Sequence, residues 1–202
     1  MRVLWITLAI VLVDQVTKTL VATTMIVRQS IPVLGDWLKW TFTENPGMAF
    51  GATLGDGDLA KVILTLFSVV ATGLIFAYMR HVREAPLGYR ASLALILGGA
   101  LGNVIDRVFY GTIYGECLPG GGARLLHGCV VDFFHLDITR ITIGDTIIPL
   151  FPIGNIADLA IIAGVVGVLL SQKSFQRFIQ ERHAPAEAST PDMDAETTPP
   201  VA

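Results

Sequence analysis

Charge is scarce in this chain. Asp, Glu, Lys and Arg make up 15% of its 202 residues, where a soluble domain carries roughly a quarter. With 52% hydrophobic residues and a mean hydropathy of +0.62, that scarcity excludes an ordinary soluble globule and marks an integral membrane protein. Cysteine is rarer still, occurring only as Cys117 and Cys129. With His127 and His135 these lack the paired-ligand spacing of a zinc site, so neither metal nor cofactor is expected. A serine or cysteine nucleophile finds no Gly-x-Ser-x-Gly or comparable setting. Basic patches and nucleic-acid motifs are missing too, which excludes nucleic acid as a partner.

What is present is four apolar windows, near residues 3–22, 59–79, 91–110 and 152–171. Each has the roughly 20 residues that a hydrocarbon core about 30 Å thick requires of a helix. The reading is an all-α membrane protein of four transmembrane helices. Arg2 precedes the first window, Arg80, Arg83 and Arg90 fill the short 2–3 connection, and Lys173, Arg177 and Arg182 follow the fourth window, together half of the 14 bases. By the positive-inside rule those ends and both termini are cytoplasmic, and the long loops 23–58 and 111–151 lie outside. The formal charge of −3 comes from the tail, where Glu187, Asp192, Asp194 and Glu196 stand without a base. Residues 1–183 therefore form a single membrane domain, and 184–202 a disordered acidic cytoplasmic tail. Read as a signal peptide, the first window would carry Asp14 and Lys18 where small residues at a cleavage site belong, so it is taken as a retained helix.

The few charges inside the windows are specific. Asp158 opens a segment, Leu159 to Leu170, with no other charge, where an ionised side chain costs several kcal/mol unless partnered. Asp132 follows Val130-Val131 in the outer loop. Two carboxyl groups brought together by folding can share one proton, so that one acts as acid and the other as base. Asp14 and Lys18, at i and i+4, share a helix face; they either make a membrane helix tolerable or hold the site. Asn103, Asp106 and Arg107 share another face, as an interhelical clamp or as substrate contacts. Residues 30–44 alternate around Pro32 and Gly35 and suggest a hairpin, and 138–148 a second hairpin beside it. Glu44 to Gly51 reads as a turn with Asn45 free to bind backbone. The second helix, with Lys61 near its outer end, reads as a packing element. Cys117 and Cys129 either form one bridge or stay unpaired. The rival of another class is a small transporter or proton pathway; against it, the polar groups cluster toward the outer helix ends.

Five blocks, Asp14-x-x-x-Lys18, Asn45-Pro-Gly47-Met-Ala-Phe50, Gly99-Ala-Leu-Gly-Asn103-x-x-Asp106-Arg107, Val130-Val-Asp132-Phe-Phe134 and Asn155-Ile-Ala157-Asp158, occur in that order over most of residues 1–171. The set resembles the lipoprotein signal peptidases, signal peptidase II. The resemblance implies an aspartyl endopeptidase of the bacterial inner membrane, with its active site at the periplasmic face. It would act on prolipoproteins carrying a diacylglyceryl-cysteine, cutting just before that residue, with membrane lipid as a further partner; it is expected to be monomeric. Asp132 and Asp158 match the catalytic dyad. Asp14, Lys18, Asn45, Gly47, Asn103, Asp106, Arg107, Asn155 and Ala157 match positions that support the dyad or bind substrate. The implied fold adds a small extracytoplasmic β-cradle and periplasmic loops. Gly55-Asp56-Gly57-Asp58 matches the Gly-x-Gly-Asp signature of another intramembrane aspartyl protease class, but it lies in a polar loop and Asp58 stands where a helix N-cap belongs. Two departures from the family pattern are an insertion over 108–131, a lid or a spectator, and Gly154 in place of an aromatic residue.

Overall fold

The computed structural model describes residues 2–47, 58–115, 123–138, 140–143, 146–149 and 151–183. The Gly-x-Gly stretch before Asp58, Cys117, the Gly120–Gly122 run, Gly144-Asp145 and the acidic tail lie outside them. Four helices are long and apolar enough to cross a membrane: α1 (Leu4–Thr24), α2 (Asp58–His81), α3 (Leu87–Ile105) and α5 (Ile156–His183). Large apolar side chains such as Trp5, Phe67 and Leu170 are exposed on them, a pattern suited to lipid and untenable in water. The fold class expected from the sequence, four spans with a small sheet at one end, is the one observed.

Two helix bounds differ from the sequence reading for local reasons. α3 begins at Leu87, directly after Pro86, so Arg90 belongs to the helix and not to the preceding connection. α5 continues past residue 171 to His183, because Phe175 stacks on Tyr89 with ring centroids 4.0 Å apart and gives the extension something to pack against.

α3 is the hub. α1 and α5 both pack along it, and α2 touches it on another side. Glycines let the backbones close in. A Cβ at Gly99 would stand 2.2 Å from the Ala157 carbonyl oxygen of α5, and one at Gly102 2.4 Å from an Asp14 carboxylate oxygen of α1. Small residues serve membrane helices in this way because dispersion and polar contacts, not water, hold the helices together.

After Ile105 the helix widens into a π-helical turn, Asp106–Tyr110, and ends in the short α4 (Gly111–Ile113). A π turn displaces carbonyls from the regular ladder and is often found at functional sites. Here the Arg107 and Val108 carbonyls accept the backbone N–H groups of Gly128 and Leu126 at 3.0 and 2.9 Å. The second half of the insertion is thereby sewn to the end of α3. Lys61 of α2 is buried and donates to the His127 carbonyl at 3.2 Å, and Thr65 donates to the Leu126 carbonyl at 3.1 Å. The second helix therefore does more than pack: it anchors this limb, which ends at the disulfide-bonded Cys129.

Three antiparallel strands, β1 (Ser30–Leu34), β2 (Leu38–Asn45) and β3 (Val130–Leu136), form a sheet in that order. The first hairpin is where the alternation put it. Its neighbour is not the hairpin expected from residues 138–148. That second hairpin, β4 (Arg140–Ile143) with β5 (Thr146–Pro149), makes a two-stranded sheet of its own, and the place beside β2 is taken by β3. Val131 and Phe133, on one face of β3, are buried with Phe42, Tyr110, Val21 and Met25. Period-two alternation then turns Asp132 to the opposite face.

Candidate active site

Asp132 and Asp158 are brought together by Asn155. Phe134 of β3 pairs with Gly154 as an isolated antiparallel bridge. The Gly154 carbonyl accepts the Phe133 and Phe134 N–H groups at 2.9 and 2.7 Å, and its N–H donates to the Phe134 carbonyl at 3.1 Å. The strand bearing Asp132 is thus stitched to the residue that leads into α5. Asn155 then caps that helix. Its Oδ1 accepts the Asp158 N–H at 3.0 Å, and Asp158 Oδ2 accepts the Asn155 N–H at 3.1 Å, a reciprocal capping box. The same Asn155 donates through Nδ2 to Asp132 Oδ1 at 2.7 Å. One residue therefore touches both carboxylates. Gly154 has a local reason as well: a Cβ there would come within 2.9 Å of Asp158 Oδ2, crowding the carboxylate that folds back on the cap.

Each of the four dyad oxygens accepts a hydrogen bond. Asn45 Nδ2 reaches Asp132 Oδ2 at 3.0 Å, and Asn103 Nδ2 reaches Asp158 Oδ1 at 2.9 Å. All three asparagines are oriented by the same device. An obligatory donor occupies the amide oxygen and leaves the NH2 for the acid. For Asn45 that donor is the Gly47 N–H at 2.9 Å; for Asn103, Lys18 Nζ at 2.8 Å; for Asn155, the Asp158 N–H at 3.0 Å. Gly47 is required on two counts. Its φ of +113° is a conformation that disfavours side chains, and a Cβ would stand 2.0 Å from Leu64 and 3.2 Å from the Arg107 guanidinium.

Behind the dyad lies a buried ionic centre. Lys18 is fully buried and spends its three donors on Asp14 Oδ2, Asp106 Oδ2 and Asn103 Oδ1, each at 2.8 Å. Asp14 Oδ1 accepts the Ala157 N–H at 2.9 Å, and Asp106 Oδ2 the Val131 N–H at 3.3 Å. Ala157 enters the site through its backbone. Arg107, half-buried, lies within electrostatic reach of Asp132, Asp106 and Asp158. Gln15 was not singled out from the sequence, yet its Nε2 donates to Asp106 Oδ1, the Gly102 carbonyl and Asp14 Oδ2 at 2.9, 3.1 and 3.2 Å. Tyr110, equally unnoticed, donates to Gln15 Oε1 at 3.3 Å. The signal that would have found Gln15 is an amide lying between Asp14 and Lys18 in a helix destined for lipid, where an unpaired polar group is expensive.

The two acids differ in setting. Asp132 is 3% exposed, whereas Asp158 is half-open to its surroundings. Burial, followed by the Asp158 charge, pushes the Asp132 carboxyl up from 3.8 to about 7, against the opposing pull of the Asn45 and Asn155 amides and of Lys18. No group of His, Cys, Asp and Glu among the described residues is arranged to hold a metal ion.

A polytopic helical bundle with a small sheet over a polar centre is the architecture of a bacterial membrane enzyme. Two solved structures of such an enzyme, determined in meso at 2.3 and 1.9 Å resolution, each share 28% identity with this chain. The first covers 93% of this chain and 93% of its own at a TM-score of 0.58; the second covers 85% and 92% at 0.61. The chain belongs to the signal peptidase II family, whose model matches residues 6–174. Among its relatives are the lipoprotein signal peptidases of Halalkalibacterium halodurans, 37% identical over 164 residues, and of Porphyromonas gingivalis, 35% identical over 181 residues. These alignments cover 81% of this chain and 86% of the first relative, and 80% and 78% for the second. The lipoprotein signal peptidase of Moorella thermoacetica is 34% identical over 166 residues, 82% of this chain and 89% of that one. The protein is a multi-pass bacterial membrane protein.

Proposed function

We propose that this signal peptidase II removes the signal peptide from lipoprotein precursors by aspartyl acid–base hydrolysis at Asp132 and Asp158. The single observation that carries the mechanism is Asn155, bonded at once to Asp132 through its side chain and to Asp158 through its backbone. Asp132, which holds its proton up to about pH 7, is the acid. Asp158, open enough for water to reach, is the base. A water held against Asp158 gives up a proton to it, and the oxygen attacks the carbonyl carbon preceding the lipidated cysteine. Asp132 donates its hydrogen bond to the developing oxyanion, assisted by the Arg107 charge. The tetrahedral intermediate collapses as the C–N bond breaks. The proton taken up by Asp158 passes to the leaving amine, and no covalent enzyme intermediate forms.

Placement supports a membrane-surface reaction. Asp158 sits in the first turn of α5, the carboxyl end of α1 and the π turn of α3 lie against the same sheet, and the basic residues gather at the other helix ends. With that other end cytoplasmic, the dyad faces the periplasm, where a diacylglyceryl group anchored in the outer leaflet would hold the scissile bond at the right depth. The test is a gel-shift assay with detergent-solubilised protein, a diacylglyceryl-modified precursor and its unmodified twin. The modified form alone should be cut, and Asp132→Asn and Asp158→Asn should each abolish cutting. Full turnover by either variant refutes the dyad.

A further inference from the structure

Two backbone bonds in the ionic centre are placed symmetrically about the dyad. Asp14 holds the N–H of Ala157, the residue before Asp158, and Asp106 holds the N–H of Val131, the residue before Asp132. Lys18 joins the two holders through one oxygen of each. That leaves the orientation of Asp106 undetermined, because a carboxylate pinned at one oxygen still swivels about its final torsion. Gln15 removes this freedom by donating to the other oxygen, Asp106 Oδ1, at 2.9 Å while it also holds the Gly102 carbonyl at 3.1 Å. Gln15 is itself fixed from behind by the Tyr110 hydroxyl, which also bonds Thr19.

We propose that Gln15 is a positioning residue that sets the spacing of Asp132 and Asp158 by locking Asp106 against the backbone of β3. The inference rests on the aspartyl reading given above and deepens it. The chain of contact runs from Tyr110 to Gln15, to Asp106, to Val131, to Asp132. Its link to the strand, Val131 N–H to Asp106 at 3.3 Å, is longer than the 2.9 Å bond from Gln15 to Asp106 and parts when Asp106 turns. Neutrality explains the residue type. A donor is needed between two carboxylates whose shared cation is already in place. Glu would add a third negative charge, and a second Lys would compete with Lys18.

Loosening this link moves β3 away from α5, and the consequence is legible in pH. The charged groups around Asp132 are Lys18 and Asp14 of α1, Asp106 and Arg107 of the π turn, and Asp158 of α5; β2 sets the uncharged Thr43 and Asn45 on that face. Movement away from α5 relieves burial and Asp158 repulsion, the two largest influences, and forfeits the weaker pulls of the Asn155 amide and of Lys18. The Asp132 proton is then released at lower pH, and the alkaline limb of the activity profile shifts with it.

The experiment compares wild type, Gln15→Met, Tyr110→Phe and the double variant on a lipidated precursor from pH 5 to 9, with folded fraction measured by thermal melting in the same detergent. Gln15→Met, which keeps volume and loses the donor, should move the alkaline limb down by about half a unit and lower kcat on the order of tenfold, with KM within about twofold. Tyr110→Phe should move the limb the same way by less, and the double variant no further than Gln15→Met. A kcat reduced only in proportion to the folded fraction, with the limb unmoved, overturns the proposal. If Gln15→Met does not fold, Tyr110→Phe decides: a wild-type limb and kcat overturn it. Loss of the dyad reading would look different, because Asp132→Asn or Asp158→Asn would then retain turnover whatever Gln15 does.

Discussion

Replacing Asp132 by Asn should abolish hydrolysis and, in the same protein, make the fold harder to melt above neutral pH. The carboxyl binds its proton more tightly folded than unfolded, rising from 3.8 to about 7. Acid therefore favours folding: the ionisation cost is absent below about pH 4, grows as pH climbs toward 7, and is fully present beyond it. At 1.36 kcal/mol per pH unit the whole cost is about 4 kcal/mol, an upper bound, of which about 2.5 kcal/mol develops between pH 5 and 8.5. Asn carries none of it. The substitution has its own penalty, because Asn45 and Asn155 both present NH2 groups to this position. One of them would face another donor, a loss of about 1–3 kcal/mol that does not vary with pH.

The informative quantity is consequently the slope and not the offset. The melting temperature of Asp132→Asn minus that of wild type should rise with pH, by roughly 5–10 °C between pH 5 and 8.5 at about 2–4 °C per kcal/mol for a chain this long. Differential scanning fluorimetry in one detergent across that range measures it. A difference flat to within about 1 °C would refute the claim that Asp132 is ionised against its surroundings, and the assignment of Asp132 as the acid would fall with it.

Three further substitutions separate the parts of the site. Gly47→Ala should cost on the order of 1–3 kcal/mol through its positive φ and reduce kcat by releasing Asn45; adding Leu64→Ala, which clears the clash, should not restore activity because the backbone strain remains. Asn155→Asp keeps a good helix cap but removes the donor to Asp132 and adds a third carboxylate, so circular dichroism should report a folded protein and the gel-shift assay no product. Lys18→Met strands Asp14 and Asp106 in the bundle and should destabilise by about 3–5 kcal/mol, read as loss of the monodisperse peak on size exclusion; Gln15→Met, by contrast, should leave that peak in place.

What was legible in the sequence is what local physics dictates. A bilayer demands some 20 apolar residues per span, so four helices stood out before any contact was known. Asp14 and Lys18 were readable as neighbours because i and i+4 share a helix face, and the first hairpin because alternation and turn residues coincide. Asn155 and Asp158 form a capping box that the Asn-x-x-Asp spacing already contains. The rest depended on encounters between distant segments. Nothing around Gln15 announces Asp106 in another helix, and nothing around Lys61 announces the His127 carbonyl it holds. Val130–Leu136 is apolar enough to be a strand, but only the fold determines that it, and not residues 140–149, lies beside β2. The orientation of each asparagine amide was equally hidden, since it is set by donors brought from elsewhere in the chain.

The charge inventory of the centre ties these pieces together. Four carboxylates, Asp14, Asp106, Asp132 and Asp158, converge with two cations, Lys18 and Arg107. A second buried lysine would halve the surplus and give a more comfortable bundle. It would also weaken the reason for any acid there to hold a proton near neutral pH, and an aspartyl mechanism needs one that does. Lys18 is bound at the back of the centre. Its three bonds go to Asp14, Asp106 and the Asn103 oxygen, none directly to the dyad, whose nearby cation is Arg107. Asn103 carries the lysine's influence forward as an oriented NH2, beside the weak direct pull of Lys18 on Asp132. In the mechanism proposed above, Asp132, the more deeply buried of the pair and pushed up to about 7, serves as the acid, and Asp158, nearer to water, as the base. On that proposal, burial and unequal access to solvent divide the two roles between chemically identical side chains.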